Sequence, residues 1–572
     1  MLLKRVSIKN FRSIRDATVD VGSQMAIVGG NGTGKSSVLR AIDRFFGVST
    51  TVELDDFFGR QPNEPIEIAL TFTDFNALER DIFASRIHNN EMTVVRVFDA
   101  GGGKQNGRYF GATLQHPAFT PIRAAQGAGA IRTAYNQLRE TEGEYSTLKA
   151  VTRADQVPAE LEDWEAKHSQ QCVLARDDGQ FFGFTNVGRG ALQKGTSFVL
   201  IPAVRDASAD ALDSRGAVIS RLLELVVRSA IQRRTDIQNF RTRISGEYRE
   251  LTNPEKLREL ASLSGDLTQT LQQFYKEAAV ALRWQPLEDF EVPLPAADVF
   301  LDDDGFVGPV DRKGHGLQRA FILALLQHLG KATSAESAQE DTNKTPNSAA
   351  RPGDDEQTEA PTETTLERPP YTMPGLILAI EEPELYQHPT KQRHFAKVLS
   401  QLSSGELPGV ARRTQILFAT HSSLFVSMDR FEEVRLARRR KSTTSEHKEC
   451  RLTYSTLTNV ARRLERAYGK EKGTYSAEGL RARLHIFRTE IAEGLFADTV
   501  VLVEGVNDKS AIVAAATIRG IDLEALGIAV LAADGKPNLD RPAAIFTSLE
   551  IPTFVVWDCL GFRALNSGLC SN

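Results

Sequence analysis

A glycine-rich stretch near the amino terminus has the residue types and spacing of a phosphate-binding loop. Residues 29–37 read GGNGTGKSS and fit the pattern G-x-x-x-x-G-K-[ST], between a short apolar strand and a helix. The N–H groups of such a loop and the dipole of the following helix attract an anion. We therefore predict a nucleoside triphosphate site in which Lys35 neutralises phosphate oxygens and Ser36 ligates Mg²⁺. The residues predicted to contact the nucleotide are Gly29, Gly30, Asn31, Gly32, Thr33, Gly34, Lys35, Ser36 and Ser37.

Two acids and a histidine stand at the ends of later apolar strands. Glu381 and Glu382 close the strand LILAI, where one carboxylate can hold the water shell of Mg²⁺ and the next can polarise an attacking water. His421 ends the strand ILFAT, where its imidazole can sense the γ-phosphate. A solvated turn and a plain turn histidine are the alternatives. The predicted catalytic residues are Lys35, Glu382 and His421, and Ser36 and Glu381 are the predicted metal ligands of this site.

The segment DRKGHGLQRA, residues 311–320, opens a helix with glycines. Gly316, Gln318 and Arg319 in this segment are suited to grasp a phosphate held by a second subunit. A generic capped helix is the alternative. We predict that these three residues also bind the nucleotide.

The order strand, helix, strand, helix, strand restarts after residue 496 and predicts a second α/β domain. Its strands end close to Glu504, Asp534 and Asp558, and Asp508 follows Glu504 by four residues. Carboxylates at the carboxyl edge of a parallel sheet can hold Mg²⁺ or Mn²⁺ ions that activate water for phosphodiester cleavage. Acidic caps on helix N-termini are the alternative.

Composition narrows the class of protein. The chain has 572 residues, of which 41% are hydrophobic and 25% charged, and this length predicts about two to four domains. No apolar run approaches the ~18 residues of a membrane span and no leader stands at Met1, so we expect a cytoplasmic protein without a membrane partner. The four cysteines lack C-x-x-C spacing, which favours reduced thiols.

The formal net charge of -5 does not by itself indicate nucleic-acid binding. A basic stretch, RLARRRK at residues 435–441, together with Arg412 and Arg413, can neutralise DNA phosphates. A solvated basic hairpin is the alternative. DNA is therefore a predicted partner.

Two long segments interrupt the α/β pattern. Residues 207–283 are amphipathic at helical spacing, which predicts an inserted arm or dimerisation module, or alternatively an ordinary helical subdomain. Residues 331–370 are rich in Ser, Thr, Pro, Ala and acids, which predicts a disordered linker.

The order of the motifs resembles the head of an ABC-type ATPase of the RecF/SMC-like branch, as does NFRSI before the phosphate loop. The resemblance implies that ATP is the nucleotide, that Glu381 and Glu382 are Walker B acids and that His421 is a switch histidine. It also implies a homodimer or higher homo-oligomer, with ATP between the loop of one protomer and the signature helix of another. The residues that would form that helix are Gly314, Gly316, Leu317, Gln318 and Arg319.

The second α/β domain resembles a Toprim domain, and an ABC head followed by a Toprim domain is typical of the OLD (overcoming lysogenization defect) family of nucleases. The implied fold class is α/β, with an ABC-type P-loop ATPase head that carries an inserted helical dimerisation region, followed by an incomplete Toprim domain. Glu504, Asp508 and Asp558 would be ligands of Mg²⁺ or Mn²⁺. The implied function is ATP hydrolysis with metal-dependent DNA endonuclease activity in anti-phage defence.

Domain boundaries follow from these patterns. The expected parts are the ATPase head at 1–206, 284–330 (signature region) and 371–495, the helical insertion at 207–283, the linker at 331–370 and the Toprim domain at 496–572.

The carboxyl terminus departs from the Toprim pattern. The position two after Asp558 is Leu560, so the second acid of the D-x-D pair is absent, and the tail lacks the expected helix, strand and late basic residue. We expect a truncated Toprim domain whose nuclease activity is compromised. An ATP-gated scaffold or sensor that recruits a separate nuclease or effector protein is the alternative. An SMC-like tethering ATPase is disfavoured, because residues 207–283 are too short for long coiled coils.

Overall fold

The computed structural model describes residues 1–47, 51–99, 107–125, 127–140, 144–176, 195–203, 299–314, 375–404, 414–442, 446–484 and 489–557, with short pieces between residues 192 and 325. The chain forms two compact units, one of Met1–Ala211 with Gly353–Asn572 and one of Leu212–Pro352.

An antiparallel sheet opens the first unit. Its strands are β1 (Leu2–Phe11), β2 (Ile14–Asp20), β4 (Ile66–Thr73), β5 (Glu91–Phe98), β6 (Arg108–Gln115) and β7 (Val173–Arg176), in the order β2-β1-β4-β5-β6-β7. β1 and β2 form an antiparallel hairpin in which Phe11 lies opposite Ile14, and apolar residues alternate with polar ones along both strands. β4 and β5 are the central pair of this sheet, with Ile66 opposite Phe98 and Thr73 opposite Glu91.

A second six-stranded sheet carries the predicted chemistry. Its strands are β3 (Gln24–Val28), β8 (Thr196–Ile201), β11 (Gly375–Glu381), β12 (Thr414–Thr420), β13 (Val434–Lys441) and β14 (Lys448–Thr453), in the order β14-β13-β3-β12-β11-β8. All pairs are parallel except that of β13 with β14. The carboxyl ends of β3, β11 and β12 therefore meet at one edge of the sheet.

Helix Lys35–Phe46 lies between the two sheets. Its apolar side chains Val38, Leu39, Ile42 and Phe45 recur at helical spacing and are fully buried. They belong to a core cluster that contains residues of both sheets. The helix that follows the phosphate loop is thus fixed along its length by packing.

A three-stranded parallel sheet forms the carboxyl-terminal part. Its strands are β15 (Thr499–Val503), β16 (Ile528–Ala532) and β17 (Thr553–Val556), in the order β16-β15-β17. Helices Val506–Ile518 and Asp540–Ser548 connect them, as the sequence pattern predicts.

The other helices surround these sheets. They are Ala77–Phe83, Thr120–Ala124, Ala128–Arg139, Val157–Lys167, Pro389–Ser404, Leu457–Ala467, Ala477–Leu484 and Thr489–Ala492. Those between 120 and 167 share a small separate core that includes Phe119, Tyr135 and Trp164. Among the described helices, none has the length and apolar character to cross a membrane.

In the second unit the structure describes a hairpin of β9 (Phe300–Asp303) and β10 (Phe306–Pro309). Residues 316–318 after it are helical. Most of the predicted helical insertion at 207–283 and all of the predicted linker at 331–370 lie outside the described residues.

Candidate nucleotide and metal sites

The phosphate loop connects β3 to helix Lys35–Phe46 at the carboxyl edge of the parallel strands. Gly29 (φ 150°) and Gly34 (φ 102°) adopt backbone angles that favour glycine. A Cβ at Gly29 would lie 2.2 Å from the carbonyl oxygen of Ala437 on β13. A Cβ at Gly34 would lie 2.5 Å from Ser13 Oγ and 2.9 Å from Cys450 Sγ on β14. β13 and β14 therefore approach both ends of the loop so closely that only glycine fits.

The outer side of the loop is open. Gly30, Asn31, Gly32 and Ser36 are exposed, while Thr33 Oγ1 donates to the carbonyl oxygen of Gly30 at 2.9 Å. The remaining predicted loop residues, Gly34 and Ser37, are half-buried. The N-terminus of the buried helix is therefore accessible from the open side of the loop. An anion can bind there.

Lys35 lies inside the loop. Its amine donates to the carbonyl oxygens of Gly29 at 3.0 Å and Gly30 at 2.7 Å. Burial lowers the pKa of Lys35 to about 8, and the carboxylates of Glu382 and Glu384 partly oppose that shift. The buried amine of Lys35 can bind a phosphate oxygen in place of the two carbonyl oxygens. The exposed hydroxyl of Ser36 can bind the divalent ion that accompanies the phosphate.

Glu381 is buried and already engaged. Arg40, on the helix after the loop, donates to its two carboxylate oxygens at 2.8 and 2.9 Å, and the N–H of Ala203 donates to it at 3.1 Å. A carboxylate has about four acceptor positions, so three are occupied. A hydrogen bond to a metal-bound water fits the remaining capacity better than direct ligation of the metal.

Glu382 and His421 approach each other at neighbouring strand ends. The N–H of Glu382 donates to the carbonyl oxygen of Ala419 at 2.8 Å, and Glu382 has a left-handed φ of 46°. Its carboxylate lies 4.0 Å from His421 Nε2, and both side chains remain partly exposed. Together with the electrostatic contact between Glu382 and Lys35, these residues converge beside the loop.

Glu384 is a further member of this site that the sequence reasoning missed. It accepts a hydrogen bond from Thr420 Oγ1 at 2.8 Å and one from the N–H of His421 at 2.7 Å. Its carboxylate also acts electrostatically on Lys35. The third acid in the stretch EEPE was the available signal.

The predicted signature residues belong to the second unit. Residues 316–318 start a helix whose Leu317 and Gln318 N–H groups donate to the carbonyl oxygen of Gly314. The buried Gln318 side chain donates to the carbonyl oxygen of Lys313 at 2.7 Å. Arg319 lies outside the described residues, so its predicted role stays a prediction.

The second predicted site lies at the carboxyl edge of β15 and β16. Glu504 follows β15, and its carbonyl oxygen accepts from the N–H of Gly535 at 2.8 Å, which joins this strand end to the turn after Asp534. Asp508 accepts from the N–H of Gly505 at 3.0 Å, as in a helix cap. The Lys536 amine lies 5.9 Å from the ring centre of Trp557.

Few of the described residues at this edge of the sheet can ligate a metal ion. Glu504 and Asp534 offer the oxygen donors that hard divalent cations take. Over the described part of the chain, no three acidic, histidine or cysteine side chains gather closely enough to hold a metal. Asp558, the remaining predicted ligand, falls beyond the described residues.

The basic stretch on β13 faces the carboxyl-terminal sheet. Arg438 donates to the carbonyl oxygen of Ala497 at 2.7 Å, and Arg440 forms a 2.7 Å ion pair with Glu550. Arg412 and Arg413 lie outside the described residues. Two of the arginines predicted to bind DNA, Arg438 and Arg440, therefore contact another part of the same chain.

Two family models match this chain. One, described as an AAA ATPase domain, matches residues 1–348 and 364–426, and the other, described as an overcoming lysogenization defect protein-like Toprim domain, matches residues 495–559. Among proteins, the OLD nuclease of Thermus scotoductus is 22% identical over an alignment 583 positions long, which covers 97% of this chain and 82% of the relative. The Old nuclease of Escherichia phage P2 is 23% identical over 368 residues, which cover 63% of this chain and about half (53%) of the relative.

Solved structures give weaker matches. The SMC head domain from Thermotoga maritima has a TM-score of 0.28 at 12% identity and covers 79% of this chain and 98% of that chain. Since this score is low, family membership rests on the two models and the relatives. The chain belongs to the OLD nuclease family and is an ATPase, with an AAA ATPase domain followed by an OLD-like Toprim domain.

Proposed function

We propose that the protein binds and hydrolyses ATP at loop 29–37 and that the carboxyl edge of β15 and β16 is a site of DNA phosphodiester cleavage, whose activity is reduced because Leu560 stands in place of the second acid of the D-x-D pair. The proposal of ATP hydrolysis rests on one observation: Lys35, Glu382 and His421 lie near one another beside the loop. The second half is supported by the Toprim match and by Glu504 and Asp534 at one sheet edge.

Lys35 binds phosphate in the proposed reaction. Its amine exchanges the carbonyl oxygens of Gly29 and Gly30 for phosphate oxygens, which requires the loop to rearrange. Ser36 and Glu381 are the residues that would hold Mg²⁺, Ser36 through its hydroxyl and Glu381, which is fixed by Arg40, through a water of the ion. Mg²⁺ supplies neutralisation of the charge that develops on the phosphate oxygens.

Glu382 polarises the attacking water. Its carboxylate is partly exposed and lies 4.0 Å from His421 Nε2, so a water can occupy the space beside both groups. His421 then senses the γ-phosphate, while Glu384 fixes the turn that carries it. The backbone strain at Glu382 is consistent with a residue held for chemistry.

A second protomer completes the ATP site in this proposal. Gly316, Gln318 and Arg319 would approach the phosphates of a neighbouring copy, which makes a homodimer or higher oligomer the active form. The hydrogen bond from Gln318 to the carbonyl oxygen of Lys313 supports a preformed helix start in that segment. A role in defence against phages is proposed from the family resemblance alone.

At the Toprim edge, Glu504, Asp508 and Asp558 are the proposed holders of Mg²⁺ or Mn²⁺, and Asp534 precedes Gly535, whose N–H donates to the carbonyl oxygen of Glu504. The ion supplies an activated water and neutralises the leaving oxygen. Asp508 also caps its own helix, so its carboxylate has one oxygen committed to the N–H of Gly505.

The test compares wild type with two single variants in one experiment. ATP hydrolysis with Mg²⁺ and nicking of supercoiled plasmid with Mn²⁺ are measured for wild type, Glu504→Ala and Glu524→Ala. Glu524 is exposed before the amino end of β16, at the opposite edge of the sheet. We expect Glu504→Ala alone to abolish nicking while all three proteins hydrolyse ATP.

Two results would contradict parts of the proposal. Nicking that survives Glu504→Ala removes the nuclease assignment. ATP hydrolysis without nicking by the wild type leaves an ATP-gated scaffold that recruits a separate nuclease.

A further inference from the structure

Strands β13 and β14 form a two-stranded ribbon at the edge of the ATPase sheet. β13 pairs with β3 only as far as Leu436, and beyond that residue it continues to Lys441 in partnership with β14 alone. Directly opposed residues of an antiparallel pair point to the same face. The ribbon therefore has two faces with separate neighbours.

One face lies against the phosphate loop. It carries the thiol of Cys450, which leaves no room for a Cβ at Gly34, while the backbone carbonyl oxygen of Ala437, in the plane of the ribbon, leaves none at Gly29. Cys450 is buried, and its N–H donates to the carbonyl oxygen of Ser13 at 2.8 Å. Neither end of the loop can shift toward the ribbon without displacing it.

The other face holds the Toprim domain. Arg438 and Arg451 are directly opposed, and Arg440 lies two residues along on the same side. Arg440 and Arg451 donate to the carboxylate of Glu550 at 2.7 and 3.4 Å. Thr453 Oγ1 donates to the carbonyl oxygen of Leu549 at 3.2 Å.

Arg438 completes this contact from a half-buried position. It donates to the carbonyl oxygens of Ala497, just before β15, and of Glu550. Burial lowers its pKa, and the nearby carboxylate of Asp498 partly opposes that shift. Glu550 lies two residues after Ser548, the last residue of helix Asp540–Ser548, so the guanidinium groups lie near the negative end of the helix dipole.

The Glu550 contact contributes little to stability. Its side chain is 41% exposed, and its partners Arg440 and Arg451 are also partly exposed, where ion pairs contribute little. The geometry is nevertheless specific, because one carboxylate accepts from two arginines on one ribbon face. Such a contact can orient a domain without determining whether it folds.

We propose that Glu550 is a positioning residue that ties the Toprim domain to the ribbon behind the phosphate loop, so that nucleotide binding alters the Toprim domain. This inference rests on the proposed ATP site. When Lys35 leaves the carbonyl oxygens of Gly29 and Gly30, the loop changes shape against Ala437 and Cys450. The next residues along the same two strands, Arg438 and Arg451, carry that change to the Toprim domain.

Hydrogen exchange of the full chain, followed by mass spectrometry, tests this coupling. Exchange is compared without and with the β,γ-imido analogue of ATP and Mg²⁺, in peptides covering residues 28–40, 497–503 and 540–551. In the wild type we expect exchange in all three peptides to change at least twofold. In Glu550→Gln we expect the 28–40 peptide to respond as in wild type, while the two Toprim peptides lose most of their response.

Two further variants distinguish a specific role of Glu550 in orienting the Toprim domain from a general loosening of that domain by substitution. Glu550→Asp keeps the charge and is expected to retain the response of the Toprim peptides, and Glu524→Gln, on the same domain but away from the ribbon, is expected to behave as wild type. A Glu550→Gln protein whose Toprim peptides respond fully overturns the proposal. So does a wild type in which only the 28–40 peptide responds, whereas no response at 28–40 contradicts the ATP site itself and the inference with it.

Discussion

The ion pair between Arg40 and Glu381 joins the helix after the phosphate loop to the acidic strand. The Glu381 side chain is only 4% exposed, whereas that of Arg40 is 28% exposed. We expect Arg40→Ala to destabilise the protein by about 2–4 kcal/mol, because it leaves a buried carboxylate uncompensated but accessible to some water. The midpoint of thermal unfolding measures the effect.

The control for that variant is Arg153→Ala, which removes an exposed ion pair with Asp155. We expect its unfolding midpoint to match wild type. Equal midpoints for all three proteins would mean that the Arg40–Glu381 pair contributes nothing to stability.

Cys450 is a second residue whose environment makes a measurable prediction. Burial beside the phosphate loop raises the pKa of its thiol to about 12, although Arg439 and Lys35 oppose the shift. The reactive thiolate is therefore about a thousandfold rarer at pH 8 than for an ordinary cysteine. Iodoacetamide at pH 8 should leave Cys450 unmodified in the native protein and label it after unfolding, as read by peptide mass spectrometry. Rapid labelling of the native protein would contradict the buried position.

The sequence predicted the residues of the phosphate loop because their chemistry is local. The pattern of glycines, Lys35 and Ser36 specifies a loop within nine positions, and in the structure this stretch connects β3 to helix Lys35–Phe46. Its contact with a nucleotide stays a prediction. Arg40 and Glu384 escaped prediction because their partners are distant: Arg40 meets Glu381 across 341 positions and Glu384 meets His421 across 37. Spacing along a chain carries no information about such pairs.

Among the elements, the helix after the loop depends on a buried arginine at its far end. Arg96 on β5 donates to the carbonyl oxygens of Arg44 at 2.7 Å and Phe45 at 3.1 Å, and its guanidinium stacks on Tyr109. A cation there satisfies carbonyl groups that the helix leaves unpaired. Arg96 thereby holds the helix whose other end forms the phosphate site.

We expect Arg96→Met to destabilise the protein by about 2–4 kcal/mol, because it leaves buried carbonyl groups without donors. Nucleotide affinity should fall as well, since the helix end loosens. Chemical denaturation and nucleotide titration measure the two effects. Arg176→Met is the control, because Arg176 also stacks on an aromatic ring, that of Phe110, but is exposed. Equal stability of the two variants would argue against a role for Arg96 in holding the helix.

The turn after β12 depends on Glu384. Glu384→Ala removes the acceptor for Thr420 Oγ1 and for the N–H of His421, so the turn that carries His421 loosens. We expect kcat for ATP hydrolysis to fall at least ~10-fold with nucleotide affinity nearly unchanged, because the lost interaction serves the reaction rather than binding. Glu384→Gln, which can still accept from one donor, should fall between wild type and Glu384→Ala. A kcat equal to wild type in the alanine variant would exclude this role.

Element types were more predictable than element partners. Apolar period and bounding glycines predicted the strands and helices of the Toprim part in order, and the structure has β15, β16 and β17 with two helices between them. The position of β13 beside β3 was not predictable, because β13 is 406 residues or more from β3 along the chain and pairs with it for three residues only. The ribbon that touches both domains therefore had no signal in the sequence beyond its positive charge.

At the scale of the whole molecule, one compact unit contains both the ATPase sheet and the Toprim sheet. The phosphate loop contacts the ribbon on one side, and the Toprim domain contacts it on the other. This arrangement gives an OLD-family chain a direct structural route between its two predicted reactions. It also gives the basic stretch 435–441 a role within the molecule.

Direct measurement of nucleotide binding is the sharpest test of this account. Isothermal titration of the full chain with the β,γ-imido analogue of ATP and Mg²⁺ is compared for wild type, Lys35→Ala and Lys509→Ala, the last being a lysine on the first Toprim helix. We predict that wild type and Lys509→Ala bind with equal affinity, whereas Lys35→Ala loses at least ~100-fold, the scale of a charge-assisted contact worth about 3 kcal/mol. Equal binding by Lys35→Ala and wild type, or no binding by the wild type, would contradict the account.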